Sequence, residues 1–145
     1  MSLPFTNILC PIDLDDGSVL GLETAAHLAR QNGGAVSVLH VLAPLSAASE
    51  PEIDAEVYRA HDDAARAKMK KLAEEHLAGV RYELLTHLGD PAGAILASEK
   101  KVGADLIVVV THGRRGLSRL FSGSVAEHVQ RESHCPVLSM KEPKK

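Results

Sequence analysis

Aromatic side chains are nearly absent from this sequence: they make up 3% of its 145 residues, and none is tryptophan. Its core therefore has to be filled by Val, Ile, Leu and Ala, the usual filling of a parallel sheet covered by helices. Cysteine is scarce too. Cys10 and Cys135 are the only two; they form no Cys-x-x-Cys pair and no disulfide framework, and read as small apolar residues of a reduced compartment. No apolar run approaches the roughly 20 residues that a membrane-spanning helix needs, and the longest candidate, Leu106–Val110, is strand-sized. The chain starts straight into Phe5–Ile12 with no basic region or cleavage site, so no signal peptide is expected and the expected location is cytoplasmic. Neither sign of charge dominates. A net charge of −3, with eight histidines uncounted, argues against general affinity for nucleic acid or anionic membrane. The basic tail Lys141–Lys145 reads as a solvated end.

What is present is ordinary globular material, 45% apolar and 24% charged, in a length that suits one domain over residues 1–145 and a core needing no metal or disulfide. The apolar period switches repeatedly between that of strands and that of helices. Phe5–Ile12 reads as the first strand, followed by N-cap candidates Asp15, Asp16 and Ser18 and a helix whose buried face is Val19, Leu22, Ala26 and Ala29. Asn32-Gly33-Gly34 ends that helix, and Ala35–Leu42 is the second strand. After a loop, 43–51, a charged helix runs from about Ile53 to Ala78 with Ala65, Met69, Leu72 and Ala73 in one stripe, and Gly79 stops it. Val80–Leu88 is the third strand; Gly89-Asp90-Pro91 opens a third helix with Ile95, Ser98 and Val102 on one side, closed by Gly103. Ala104–Val110 is the fourth strand, buried on both faces. A loop from Thr111 to Ser122, a helix from Gly123 to Ser133 and a last strand Pro136–Met140 complete the chain. Strands separated by helices imply parallel pairing through right-handed crossovers, hence a three-layer, doubly wound α/β sheet of five strands, Rossmann-like. In such sheets ligands sit beyond the carboxyl ends of strands where the strand order reverses. That directs attention to Pro11–Asp13, to His40–Leu42 and to the loop after Val110.

That last loop carries most information. Thr111 to Ser124 is rich in glycine and leads into a helix, so backbone N–H groups and the helix N-terminus can receive phosphate, with Arg114, Arg115 and Arg119 raising the local potential. A second reading stands beside it: Ser124-Val125-Ala126-Glu127 fits a capping box, and Gly113 and Gly116 fit a tight turn. No Walker-type loop and no Gly-x-Gly-x-x-Gly occurs.

The run Gly89-Asp90-Pro91, Ala104–Val108, Thr111–Leu120, Gly123–Glu127 and Cys135–Leu138, with Ile8–Asp13 and Leu39-His40-Val41 before it, resembles the universal stress protein (UspA-like) family over nearly the whole chain. The resemblance implies a regulatory domain that binds ATP, with Mg²⁺ held mainly by the phosphates, and a homodimer formed in part through the last strand. The family's ATP-binding members carry Gly-x2-Gly-x9-Gly-Ser/Thr after the fourth strand. Here Gly113, Gly123 and Ser124 match, and the first position is Val110. By the same resemblance Arg114 and Val125 join the phosphate site, Asp13 bonds ribose or adenine, and Val41 meets the adenine through its main chain beside Pro11 and Ile12. The plainer readings stay open: Asp13 as a helix cap, Val41 as a core residue. Val110 also reads two ways. A β-branched side chain resists positive φ and narrows a pocket, while an extended backbone suits it. If nucleotide binding is lost, the same fold serves as a dimeric interaction module.

The histidines give no metal pattern. His61 and His76 share no turn, and His128, His134 and Cys135 lack zinc spacing. His112 has no Ser–His–Asp or Cys–His companions and no converging carboxylates. The expectation is a binding protein rather than an enzyme, with slow ATP turnover left open.

Overall fold

The computed structural model describes residues 5–15, 17–42, 51–111 and 123–142, with the side chains of α2 described from Ala55 onward. Strands and helices alternate along the chain: β1 (Asn7–Ile12), α1 (Gly17–Asn32), β2 (Ala35–Leu42), α2 (Pro51–His76), β3 (Arg81–Leu88), α3 (Pro91–Val102), β4 (Leu106–Thr111), α4 (Gly123–Glu132) and β5 (Val137–Lys141). The five strands form one parallel sheet in the order β3-β2-β1-β4-β5. The order runs one way from β1 to β3 and the other from β4 to β5, so the switch point lies between β1 and β4.

Side chains alternate across each strand, and the two faces collect different partners. Ile8, Cys10, Ile12, Val36, Val38, Leu106 and Val108 pack with Leu22, Ala25, Ala26 and Ala29 of α1, with Met69 and Ala73 of α2, and with Leu77 just after it. On the opposite face Leu9, Leu39, Val41, Ile107 and Val109 pack with Ala92, Ala94 and Ile95 of α3 and Ala126 and Val129 of α4. Leu106–Val110 is buried throughout, as expected of a central parallel strand.

Local signals place the ends of the elements. Asp90 caps α3, its carboxylate accepting from the Gly93 N–H at 2.9 Å, with Pro91 behind it and Gly103 closing the helix at φ 66°. At the amino edge the Asp105 carboxylate accepts from the N–H groups of Thr6 and Asn7 at 3.0 Å, tying β1 to the turn before β4. Two expectations for α1 need correction. Ser18 lies inside the helix and is buried, and the capping contacts come from Asp15, whose Oδ1 accepts from Gly17 N–H at 2.9 Å. The expected Leu22, Ala26 and Ala29 are buried, with Ser18, Gly21 and Ala25 beside them, and Val19 alone of the expected stripe is only partly buried. The last strand is also displaced by one, to Val137–Lys141, and Thr111 belongs to β4.

Candidate functional site

At the switch point the carboxyl ends of β1 and β4 and the first turn of α1 enclose a narrow cleft. Pro11, Ile12, Asp13, Gly17, Ser18, Gly21 and Val110 line it, around about 10 Å³ of open space. Ligand pockets usually run to roughly 300 Å³ or more, so these residues make a floor rather than an enclosure. A larger depression of about 560 Å³ lies on the outer surface of α1 and the end of α2, between Leu20, Glu23, Thr24, His27, Arg30, Glu75 and His76. Its lining is on the helices and includes none of the strand-end residues, and His76 Nδ1 stands 3.2 Å from Glu23 Oε1 across it.

The structure brings four of the sequence-predicted residues together: Pro11, Ile12, Asp13 and Val110. Ser18 Oγ stands 3.5 Å from Asp13 Oδ1, at the limit of a hydrogen bond. Val41 is on β2, fully buried against α3-side neighbours and opposite His87 in register. Gly123, Ser124 and Val125 form the first turn of α4, with Gly123 and Ser124 exposed. The described part of α4 begins at Gly123, so Ser124 stands in its first turn. A parallel β5 follows α4, so α4 runs antiparallel to the strands and its N-terminus opens at the carboxyl edge of the sheet. Gly113 and Arg114 lie outside the described residues, as do Arg115, Gly116 and Arg119.

Two further contributors lie outside the glycine-rich motif. Gly21, in the middle of α1, lets the helix approach the sheet: a Cβ there would stand 3.2 Å from Val110 Cγ2 and 3.4 Å from Cys10 Sγ. An isolated glycine inside a helical pattern is the signal that finds it. His40, at the end of β2, places Nδ1 3.2 Å from the Ile12 carbonyl. Burial, the largest influence, holds its pKa below the ordinary 6.5, with Lys68 acting the same way and the Ile12 bond and Asp13 opposing. Cys10 beneath the cleft is fully buried and its thiol is pushed up to about 12, so it offers no nucleophile.

A model of the universal stress protein family matches residues 4–141. Universal stress protein MJ0531 of Methanocaldococcus jannaschii is 36% identical over 146 residues, an alignment that covers 97% of this chain and 85% of that protein. The solved structure of hypothetical protein MJ0577 superposes with a TM-score of 0.82 at 26% identity, covering 97% of this chain and 99% of that one. Two more distant structures share the fold. One is a universal stress protein in complex with cAMP (TM-score 0.66, 19% identity, 94% of this chain and 97% of that one). The other comes from Archaeoglobus fulgidus in complex with dAMP (TM-score 0.62, 23% identity, 97% of this chain and all of that one).

Proposed function

The chain belongs to the universal stress protein family, and on that footing we propose that it is a regulatory protein binding an adenine nucleotide, ATP with Mg²⁺, at the carboxyl end of the sheet. Asp13 accepts from the ribose or adenine, the main chain of Val41 meets the base, and Pro11 and Ile12 lie beside it. Gly113, Arg114, Gly123, Ser124 and Val125 receive the phosphates, where the N–H groups of α4 and its partial positive charge favour an anion. Mg²⁺ is held mainly by those phosphates. Val110 forms part of the floor.

The observation that carries this reading is the convergence of Pro11, Ile12, Asp13 and Val110 on one cleft at the reversal of strand order. The cAMP and dAMP complexes of proteins with this fold support the ligand class. Among the described residues that line the cleft, Asp13 is the one titratable group, and this reading gives it a binding role. Among the described residues no helix is long and apolar enough to cross a membrane, and the site of action in this reading is the cytoplasm, with no nucleic acid or membrane partner. The edge strand β5, with Leu138 exposed, serves as the homodimer contact.

Calorimetric titration with Mg-ATP tests the ligand, with Gly123→Val as the control. A Cβ on Gly123 meets no described atom within 4 Å, and the melting temperature of the variant checks that its fold is kept. Micromolar binding that Gly123→Val abolishes is the expected result. No heat and no melting shift at millimolar ATP overturns it. The narrow cleft and Val110 at the motif's first position favour a second reading for that case, a dimeric interaction module without nucleotide.

A further inference from the structure

We propose that His40 is a positioning residue for the switch-point site: its ring clamps the carbonyl of Ile12 and thereby sets where the Asp13 carboxylate stands. The inference rests on the nucleotide reading above and adds a residue that the motif does not contain.

His40 and Ile12 are register partners at the ends of adjacent strands, and Nδ1 lies 3.2 Å from Ile12 O. A carbonyl only accepts, so Nδ1 carries the proton and donates. The Ile12 carbonyl is the atom group immediately before the Asp13 amide, and fixing it fixes the peptide plane from which Asp13 projects. Beyond Asp13 the chain turns through Leu14, whose φ of 68° is in the left-handed region. For a residue with a branched side chain that conformation is strained. It is held by packing the Leu14 side chain against the α1–α2 side of the core. Asp15 then anchors the helix start, its Oδ1 accepting from Gly17 N–H at 2.9 Å and its carbonyl from Ser18 N–H at 3.0 Å.

Asp13 thus sits between two constrained points, with Ser18 Oγ beside its carboxylate. Backbone strain of this kind persists where the surroundings over-determine it, and it concentrates at ligand sites. His40 is the one of these constraints supplied by another strand. It also precedes Val41, so a single peptide links the ring that fixes Ile12 to the main chain assigned to the base.

The test compares Mg-ATP affinity in wild type, His40→Asn, His40→Gln and His40→Leu. Asparagine carries its amide N–H near the position of Nδ1, glutamine carries it one bond farther out, and leucine fills space without a donor. The Asn variant is expected to stay within about twofold of wild type, and Gln and Leu to bind about three- to tenfold more weakly. Similar melting temperatures for the Asn and Gln variants remove stability as the cause of the split. Equal affinity in all four overturns the positioning role and leaves the nucleotide reading intact. An Asn variant as weak as Leu also overturns it, since the ring would then act by packing. A wild type that ignores millimolar ATP overturns both.

Discussion

Val110 fills the space that Gly21 leaves open: a Cβ on Gly21 would lie 3.2 Å from Val110 Cγ2. The valine at the motif's first position therefore points its bulk under α1, into the layer between helix and sheet, and its fit depends on a glycine one element away. Gly21→Ala gains about 1 kcal/mol of helix propensity and loses more to the close approach, for a net cost of about 1 kcal/mol. In a Val110→Ala background the neighbouring methyl is gone and Gly21→Ala should stabilise. A double-mutant cycle in urea checks this; strictly additive free energies would show that the two residues do not constrain each other.

Gly34 and Gly123 make a contrasting pair. A Cβ on Gly34 would stand 2.7 Å from the backbone of Thr6, whereas one on Gly123 meets nothing within 4 Å. Gly34→Ala is expected to cost more than about 2 kcal/mol, since backbone atoms cannot step aside, and Gly123→Ala to stay within about 0.5 kcal/mol. Thermal melts of the two proteins read the difference directly.

Glu99 is a buried carboxylate at 4% exposure, and its Oε2 accepts from the N–H groups of His134 at 2.8 Å and Cys135 at 3.1 Å. It holds the turn into β5 from a helix on the α3 side. Glu99→Ala leaves both donors unpaired and is expected to cost about 3 kcal/mol. The Cys135 thiol is pushed up to about 12, by burial first and then by Glu99. Glu99→Gln removes the charge and should quicken alkylation of Cys135 at mildly alkaline pH, while Cys10 stays unreactive. Mass spectrometry of the labelled protein locates the modified thiol, and unchanged Cys135 labelling would refute the link.

Acid should weaken the fold in part through His40. Its folded pKa is below 6.5, chiefly through burial, with Lys68 lowering it further and the Ile12 carbonyl and Asp13 raising it. The unfolded chain then binds more protons than the folded one, so this contribution is present above pH 6.5 and is lost as pH falls through 6.5 toward the lower folded value. Because the ring is partly exposed, the effect is modest. His40→Asn should show a flatter stability profile between about pH 7 and pH 5. A profile parallel to wild type would sink the assignment.

Much of this protein is legible in its sequence because the signals are local. Strand-sized apolar runs, the Asp90-Pro91 start and Gly103 end of α3, and the alternation of strand and helix lead to a parallel sheet of five strands, and β2 falls at Ala35–Leu42 as read. The resemblance carried by Pro11–Asp13 and Gly123–Val125 likewise needs only spacing. What the tertiary structure decided is what depends on distance between elements. Only the packing of α1 on the sheet shows that Val110 lies against Gly21, because nothing in either residue's own neighbourhood encodes the other. Ser18, read as a cap, became a buried neighbour of Asp13 once Asp15 took the helix start. Only strand register sets His40 beside the Ile12 carbonyl, and only the packing of α3 sets Glu99 beneath the turn into β5: a side chain's partner across a sheet or between layers is chosen by the fold, not by its place along the chain.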